Sequence, residues 1–229
     1  MQSPCSNTTA ILIFANSHGV DAARKNIPQS GALFQSLNDD IIAKVRKTGL
    51  PYFLYSEELQ IGSDFGARFT AAIQSIFLKG YDSVITVGND TPNLSVSTLQ
   101  QAHKTLIQGK TVIGPSTDGG IYLLGIHKNC FESIGFRQLP WQERHLFQDT
   151  ARFFGQMGVL HQLPRLTDID SIGDIQSVID FRSFISSALF RLLLELVTKR
   201  LSVLVYRDKA LESFEISLPF NKGSPSLSL

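Results

Sequence analysis

The sequence predicts an α/β fold with a mostly parallel sheet, because short apolar runs alternate with longer amphipathic segments and are followed directly by glycines and polar residues. The run Ser83–Val87 is the clearest of them. Val84, Ile85 and Val87 are β-branched, as in a strand that is buried on both faces of a sheet. Since ligands of open α/β sheets bind at the carboxyl ends of the strands, the polar residues after each run are the first candidates for a site.

A carboxylate, Asp90, follows this run after a short turn. Asn89 and Thr91 flank it, and Ser95 is placed to cap the amphipathic helix that comes next. A strand, a tight turn and a helix make half of a βαβ unit, which puts Asp90 and its two neighbours where a site forms. A hard cation or a ribose hydroxyl suits such a carboxylate.

Two further strand candidates, Thr111–Pro115 and Ile121–Ile126, bracket the turn Asp118-Gly119-Gly120. Paired glycines permit positive φ and let a ligand approach the backbone closely. The aspartate before them either forms a hydrogen bond within the turn or points at the ligand.

The first strand candidate, Thr9–Ala15, precedes the place where a nucleotide-binding α/β protein carries its phosphate loop. This loop has a single glycine, Gly19, and Arg24 and Lys25 follow it. The two basic residues either bind phosphate or belong to a solvated helix face. The pattern also predicts a helix from Ser30 to Gly49, a strand over Pro51–Ser56, a helix over Ala67–Lys79, a helix over Leu146–Phe154 and a strand over Val159–Leu163.

Several polar and aromatic residues have a structural and a functional interpretation. Asp64 is placed to cap the following helix, and Arg68 to reach a substrate. Trp141 either packs the edge of the core or lies near the site. Asp168 and Asp170 lie two positions apart, so in an extended chain both point to one side and suit a metal ion. The alternative is a helix start, with Asp170 or Ser171 as the cap and Asp174 in the first turn. We take Asp168 as the site candidate and Asp170 mainly as a cap.

The C-terminal part of the chain has its own pattern. From Asp174 a helical pattern continues to about Arg200, and two strand candidates with alternating apolar residues follow it. The apolar surface over residues 184–218 is wider than one contact with the sheet requires, so we expect a homodimer through this segment; the alternative is a hairpin that folds back on its own domain. The chain therefore divides into a main domain over residues 1–180, a helix and β-hairpin extension over 181–220 and a disordered tail over 221–229.

Composition excludes several classes of function. Of the 229 residues, 43% are apolar and 18% are charged, and the net charge of +1 gives no reason to expect nucleic acid as a partner. Cys5 and Cys130 are too few for a disulfide framework, which favours a cytoplasmic location. The first residues lack a secretory pattern, and the most apolar segment, Phe184–Val197, is too short to span a membrane.

Three ordered motifs carry a resemblance to a known family. They are Gly88-x-Asp90-x-Pro92-x-Leu94, Gly114-Pro115-x-x-Asp118-Gly119-Gly120-x-Tyr122-Leu123-x-Gly125 and Asp168-Ile169-Asp170-x-x-x-Asp174. Over roughly residues 9 to 180 the chain resembles an uncharacterised bacterial family with the GT-A glycosyltransferase-like fold, relatives of the nucleotide-diphospho-sugar transferases. The resemblance implies a Rossmann-like three-layer sandwich that binds a nucleotide or nucleotide-sugar together with Mg²⁺ or Mn²⁺, and Asp90 would be the metal-side carboxylate.

These observations together predict a transferase that moves a glycosyl or nucleotidyl group from a nucleotide-activated donor with the help of a divalent metal. The alternative is a non-catalytic nucleotide-binding or scaffold protein that retains the fold. For the enzyme, we assign catalysis to Asp118 and Asp168, metal binding to Asp90 and Asp118, and nucleotide binding to Arg24, Lys25, Arg68, Asn89, Thr91, Gly119 and Gly120.

Overall fold

A computed structural model describes residues 8–25, 27, 30–179 and 184–198. The strands are β1 (Thr9–Phe14), β2 (Tyr52–Tyr55), β3 (Ser83–Val87), β4 (Thr111–Pro115), β5 (Ile121–His127) and β6 (Leu160–Gln162). The α-helices are α1 (His18–Arg24), α2 (Gly31–Arg46), α3 (Phe65–Leu78), α4 (Val96–Ile107), α5 (Ser133–Arg137), α6 (Leu146–Gly155), α7 (Ile172–Ile179) and α8 (187–198), and a 3-10 turn covers Lys128–Cys130.

The strands form one sheet in the order β2-β1-β3-β5-β4-β6. Neighbours β1 and β2, β1 and β3, and β4 and β6 are parallel, whereas β5 runs antiparallel to both of its neighbours. The α/β class with a mostly parallel sheet is therefore confirmed. Because β3 and β4 point the same way, the residues after them, Asp90 and Asp118, lie at the same edge of the sheet.

Helices cover both faces of the sheet. On one face, Ile41 of α2 and Leu99 of α4 pack against Ile11 and Ile85. The other face packs against α3, α5 and α6, where rings such as Phe136 lie over the strands. Alternate strand residues face opposite layers, as the period of a β-strand requires. The predicted three-layer sandwich is confirmed.

Local signals in the sequence explain where two helices begin. The Ser95 hydroxyl accepts a hydrogen bond from the Thr98 N–H at 3.0 Å, and the Asp64 carboxylate accepts one from the Ala67 N–H at 2.7 Å. Both residues are helix caps, as the sequence predicts. The cap at Asp64 sets the start of α3 and thereby the position of Arg68 in its first turn.

The long C-terminal helix that the sequence predicts is interrupted. Helix α7 ends at Ile179, residues 184–186 are not α-helical, and α8 begins after Ser186, whose hydroxyl accepts the Leu189 N–H at 3.3 Å. Leu189 and Leu193 are buried beside residues of α2 and α7. The predicted hairpin and tail lie outside the described residues, as does most of the predicted dimer segment. None of the described helices combines the length and apolar character needed to cross a membrane.

Candidate functional site

A cavity of about 290 Å³ opens at the carboxyl ends of β1 and β3. We call it the edge cavity. Helices α1 and α3 and the segment before α6 form its walls. The polar and aromatic residues that line it are Phe14, Asn16, Asp21, Arg24, Lys25, Gln60, Phe65, Arg68, Phe69, Thr86, Asn89, Asp90, Tyr122, Trp141, Gln142 and Asp168.

Lys25 and Asp90 form an ion pair in this cavity. The Lys25 ammonium lies 2.8 Å from Oδ2 of Asp90, 2.9 Å from Oδ1 of Asp170 and 2.9 Å from the carbonyl oxygen of Ile169. Each of its three N–H groups therefore has an acceptor. Burial by itself lowers the pKa of Lys25, but the charges of Asp90 and then Asp170 outweigh it and raise the pKa above its ordinary value. Lys25 is thus a fixed positive charge beside Asp90.

Asp168 is a second carboxylate near Asp90. The Thr91 hydroxyl donates a hydrogen bond to its Oδ1, which ties the start of the Asp168 loop to the turn after β3. Part of the Asp168 surface faces the cavity, while protein atoms surround the rest. Burial raises the pKa of Asp168 to about 7, and the charge of Asp90 and, to a smaller extent, that of Asp118 add to the rise. This carboxyl group therefore exchanges its proton near neutral pH.

The structure corrects our interpretation of Asp170 as mainly a helix cap. The carboxylate that holds the start of α7 is Asp174, whose Oδ2 accepts the N–H groups of Asp170 at 3.2 Å and of Ser171 at 2.7 Å. Asp174 thus holds the two residues before the helix, and the Asp170 side chain turns instead to Lys25. Spacing alone does not distinguish these two carboxylates, because both lie close enough to the start of the helix to accept backbone N–H groups there.

Asp90 and Asp168 fit a divalent cation that brings its own phosphate ligands. Among the described residues no group of three or more His, Cys, Asp or Glu side chains is arranged to hold a metal. Lys25 uses only Oδ2 of Asp90. At Asp168, burial is the first cause of the raised pKa and the negative charge of Asp90 is the second, and a bound cation would offset that second contribution. Mg²⁺ is commonly held by one or two carboxylates together with substrate phosphates. The site therefore suits a metal–phosphate complex better than a bare ion.

Two guanidinium groups line the edge cavity without a hydrogen-bonded partner among the described residues. Within the described part of the chain, the side chains of Arg24 and Arg68 form no hydrogen bond or salt bridge, although both line the cavity. In the loop after β1, the N–H and hydroxyl groups of Ser17 are not available to a ligand, because both donate to the Glu57 carboxylate, at 2.6 and 2.5 Å. These bonds, the hydroxyl's first, lower the pKa of Glu57. An anionic ligand would therefore meet the two arginines.

The Asp118-Gly119-Gly120 turn is closed by the protein itself. Oδ1 of the exposed Asp118 accepts the Gly120 N–H at 2.9 Å. Gly119 has φ +96°, and a Cβ there would lie 1.8 Å from the carbonyl oxygen of Arg144. The Phe147 N–H donates to the Gly119 carbonyl at 2.9 Å. The close approach that Gly119 permits is thus made by the segment before α6, and none of the three turn residues lines the cavity.

The structure adds lining residues that the sequence did not single out. Asp21 is only 5% exposed, and Asn16, Gln60 and Gln142 also line the cavity. Gln142 has φ +69° and is the only described residue other than glycine with a positive φ. Trp141 takes both roles considered above, since it packs among the phenylalanines of α3 and lines the cavity. These polar residues have no characteristic spacing in the sequence. Their position after a strand is the one signal that could have indicated a place in the site.

Asn89 is held by its amide nitrogen. Its Nδ2 donates to Oδ2 of Asp21 at 2.9 Å and to Oδ1 of Asn38 at 2.8 Å. Asn16 donates its Nδ2 to Oδ1 of the same Asp21 at 2.8 Å. The buried carboxylate of Asp21 therefore ties the turn after β1 to the turn after β3.

Comparisons with known proteins agree with this fold. Residues 34–143 match the model of a family described as an uncharacterized protein conserved in bacteria (DUF2064), which confirms the resemblance seen in the sequence. A solved protein from Desulfovibrio desulfuricans G20, provisionally described as a nucleotide-diphospho-sugar transferase, shares 24% identity and a TM-score of 0.73 over 83% of this chain and 97% of its own. This likeness supports the fold.

Two more distant solved structures also match. Rv0371c from Mycobacterium tuberculosis H37Rv shares 10% identity and a TM-score of 0.45 over 77% of this chain and 100% of its own. A cytidylyltransferase from Leptospira borgpetersenii serovar Hardjo-bovis shares 16% identity and a TM-score of 0.42 over 86% and 96% of the two chains. No protein of curated function matches the chain.

Proposed function

We propose that this chain, whose residues 34–143 match an uncharacterised bacterial family, is a transferase that moves a glycosyl or nucleotidyl group from a nucleotide-activated donor. The observation that carries the proposal is the composition of the edge cavity. There the carboxylates Asp90 and Asp168 lie with the guanidinium groups of Arg24 and Arg68, which form no hydrogen bond or salt bridge with another described residue. Donor phosphates need positively charged partners, and a cation that travels with them needs carboxylates.

Asp90 would hold Mg²⁺ or Mn²⁺, which when bound neutralises charge on the donor phosphates. Arg24, Arg68 and Lys25 act in the same sense, because they stabilise the negative charge on the leaving diphosphate or on the phosphoryl group in transfer. Asp168 lies close to Asp90, and a carboxyl group that exchanges its proton near neutral pH can accept the proton of an attacking hydroxyl. Asp118 stays a candidate for the acceptor side of the site.

A thermal-shift screen tests this proposal. Nucleoside triphosphates and nucleotide-sugars are added singly to the protein, with and without Mn²⁺. A ligand at 100 times its dissociation constant should raise the free energy of unfolding by about 2.7 kcal/mol. Binders are then incubated with acceptors: glycosyl transfer breaks the bond between the anomeric carbon and the phosphate oxygen and releases nucleoside diphosphate, whereas nucleotidyl transfer from a triphosphate releases pyrophosphate. A screen without any binder contradicts the proposal.

A non-catalytic nucleotide-binding protein is the second candidate. The contact of Ser17 with Glu57 favours it, because the first donors of the loop after β1 are already taken by a protein carboxylate. Saturation of Lys25 by three acceptors favours it as well. Metal-dependent nucleotide binding without release of either product, across a broad set of acceptors, would support this function over the transferase.

A further inference from the structure

Three side-chain amides of the edge cavity share one orientation. Asn16 donates its amide nitrogen to Asp21, and Asn89 donates to Asp21 and Asn38. Gln60 donates to the backbone carbonyl oxygens of Ala15 at 3.4 Å and Tyr55 at 3.1 Å. Every partner is an acceptor, so rotating any amide by 180° would set oxygen against oxygen. The orientation of all three amides is therefore determined by the protein.

This orientation leaves three residues that line the cavity with an amide oxygen as their remaining hydrogen-bonding group. The amide oxygens of Asn16, Gln60 and Asn89 form no hydrogen bond with any residue in the described ranges, and all three residues line the cavity. Asp21, with 5% of its surface exposed, adds a carboxylate. We call Asn16, Asp21, Gln60 and Asn89 the acceptor wall. Such a wall repels phosphate, which lacks donors, and binds groups that donate hydrogen bonds.

We propose that the acceptor wall binds sugar hydroxyl groups of the ligand, either those of the ribose or those of a transferred sugar. This inference rests on the proposed function, because it assumes one ligand whose phosphates bind Arg24 and Arg68 and whose hydroxyl groups bind the acceptor wall. Hydroxyl groups suit the wall because a vicinal diol donates two hydrogen bonds side by side. The hydrogen-bonding edges of adenine, cytosine and uracil combine donors with acceptors, so a wall of acceptors would also face an oxygen or nitrogen that cannot donate.

The role differs from the one expected for Asn89 from the sequence. An asparagine after a strand can donate to a phosphate, but this one has used both N–H bonds on Asp21 and Asn38. Its free group is the carbonyl oxygen, which accepts. Asn89 is then a specificity residue for the hydroxyl-bearing part of the ligand, and Asp21 is both a member of the wall and the residue that orients two of its amides.

Calorimetry with ligand analogues tests the wall on the unmodified protein. The nucleotide that binds most tightly among the common ribonucleotides is compared with its 2′,3′-dideoxy form, and the nucleoside diphosphate is compared with its glucose ester. If the wall binds ribose, the dideoxy form should bind about tenfold more weakly, since each lost hydrogen bond costs several-fold in affinity. If it binds the transferred sugar, the glucose ester should bind more tightly than the diphosphate by a similar factor.

Matched variants locate the effect. Gln60→Met keeps the side-chain length and removes the amide oxygen, and Gln101→Met makes the same change on the exposed surface of α4. The preference for hydroxyl-bearing ligands should shrink in Gln60→Met by about three- to tenfold and stay unchanged in Gln101→Met. Equal affinity for all analogues in the unmodified protein overturns the inference, as does a preference for guanine, whose N1–H and N2–H₂ both donate, that is independent of the hydroxyls.

Failure of the proposed function gives a different result. If no nucleotide binds, the transferase proposal fails, and the wall is tested alone with glucose 1-phosphate against inorganic phosphate. Tighter binding of glucose 1-phosphate that is lost in Gln60→Met supports the wall without nucleotides. Equal or absent binding of the two probes overturns the wall as well.

Discussion

The ammonium nitrogen of Lys25 lies 2.8 Å from Oδ2 of Asp90, so a cation of the protein already faces the carboxylate that we expect to hold a metal. The same nitrogen reaches Asp170, and 16% of the Lys25 side chain is exposed. Any divalent ion at Asp90 must share this carboxylate with Lys25 or displace it. A variant of Lys25 and a variant of Asp90 test whether this ion pair stabilises the fold or affects metal binding.

Replacing Lys25 by Met keeps the length of the side chain and removes its charge. We expect the free energy of unfolding to fall by about 1–2 kcal/mol, because charged hydrogen bonds are strong but Asp90 and Asp170 are partly open to solvent. Mn²⁺ alone should bind more tightly to this variant, since Asp90 loses a competing cation. Urea unfolding and calorimetry measure the two effects, and Lys104→Met on the exposed side of α4 is the control. Unchanged stability and unchanged Mn²⁺ affinity would mean that the ion pair is inert.

Asp90→Asn tests the metal side of the proposal. Asparagine keeps the size of the side chain and an oxygen for Lys25, but it lacks the charge that a hard cation prefers. We expect nucleotide binding in the presence of Mn²⁺ to weaken about tenfold or more, with a loss of less than about 2 kcal/mol in the free energy of unfolding. Calorimetry on Asp90→Asn and on Asp39→Asn, an exposed carboxylate of α2, decides it. Equal affinities would make Asp90 structural.

The raised pKa of Asp168 predicts a pH dependence of stability. The folded protein binds this proton up to about pH 7, whereas the unfolded chain releases it near pH 3.8. Stability from this group is therefore fully present below the unfolded value and is lost as the pH rises to about 7. Asp168→Asn lacks this loss. Between pH 4 and 7, the difference between the free energy of unfolding of the variant and that of the parent protein should therefore rise with pH, by at most about 1.4 kcal/mol per pH unit. A difference that stays constant over this range would show that Asp168 ionises normally.

Gly119 should be much less tolerant of a side chain than Gly109. Both have positive φ, +96° and +76°, but a Cβ at Gly109 meets nothing within 4 Å, whereas one at Gly119 would lie 1.8 Å from the Arg144 carbonyl oxygen. Gly109→Ala should cost about 1–2 kcal/mol through its backbone alone, and Gly119→Ala clearly more. Fluorescence adds a readout, because Trp141 is the single tryptophan and lies three residues before Arg144, in the segment that a side chain at Gly119 would displace. Equal losses and unchanged emission in both variants would contradict the packing.

The dimer that we expect from the sequence is testable on α8. Leu194 is 41% exposed there, while Leu189 and Leu193 are buried against the same chain. We expect the full-length protein to be a dimer at micromolar concentration by light scattering, and Leu194→Glu to shift it toward the monomer. Ile107→Glu, at a site on α4 that is 51% exposed, should leave the mass unchanged. A monomeric parent protein rules the dimer out.

The sequence predicts the layers of this fold well and the contacts of the site poorly. The run Ser83–Val87 and the cap at Ser95 depend on local periodicity and local hydrogen bonds, and both are found as predicted. The pairing of Lys25 with Asp170 is set by tertiary structure, and no spacing in the sequence contains it. The orientation of Gln60 likewise depends on two carbonyl oxygens, that of Ala15 directly after β1 and that of Tyr55 in β2.

We expect the residues at the carboxyl edge of the sheet to fold in two stages, a fast one that includes β5 and a slow one that includes Lys25. Strand β5 follows β4 directly and pairs with it, so the β4–β5 hairpin with Asp118 at its turn requires only a short loop to close, an event on the scale of about 1–10 μs. The Lys25 ammonium instead joins Asp90, which is 65 positions away, and Ile169, which is 144 positions away. Closing such long loops has a larger entropic cost, so these contacts form late in folding. In hydrogen exchange during refolding, the amides of β4 and β5 should therefore become protected before those around Lys25.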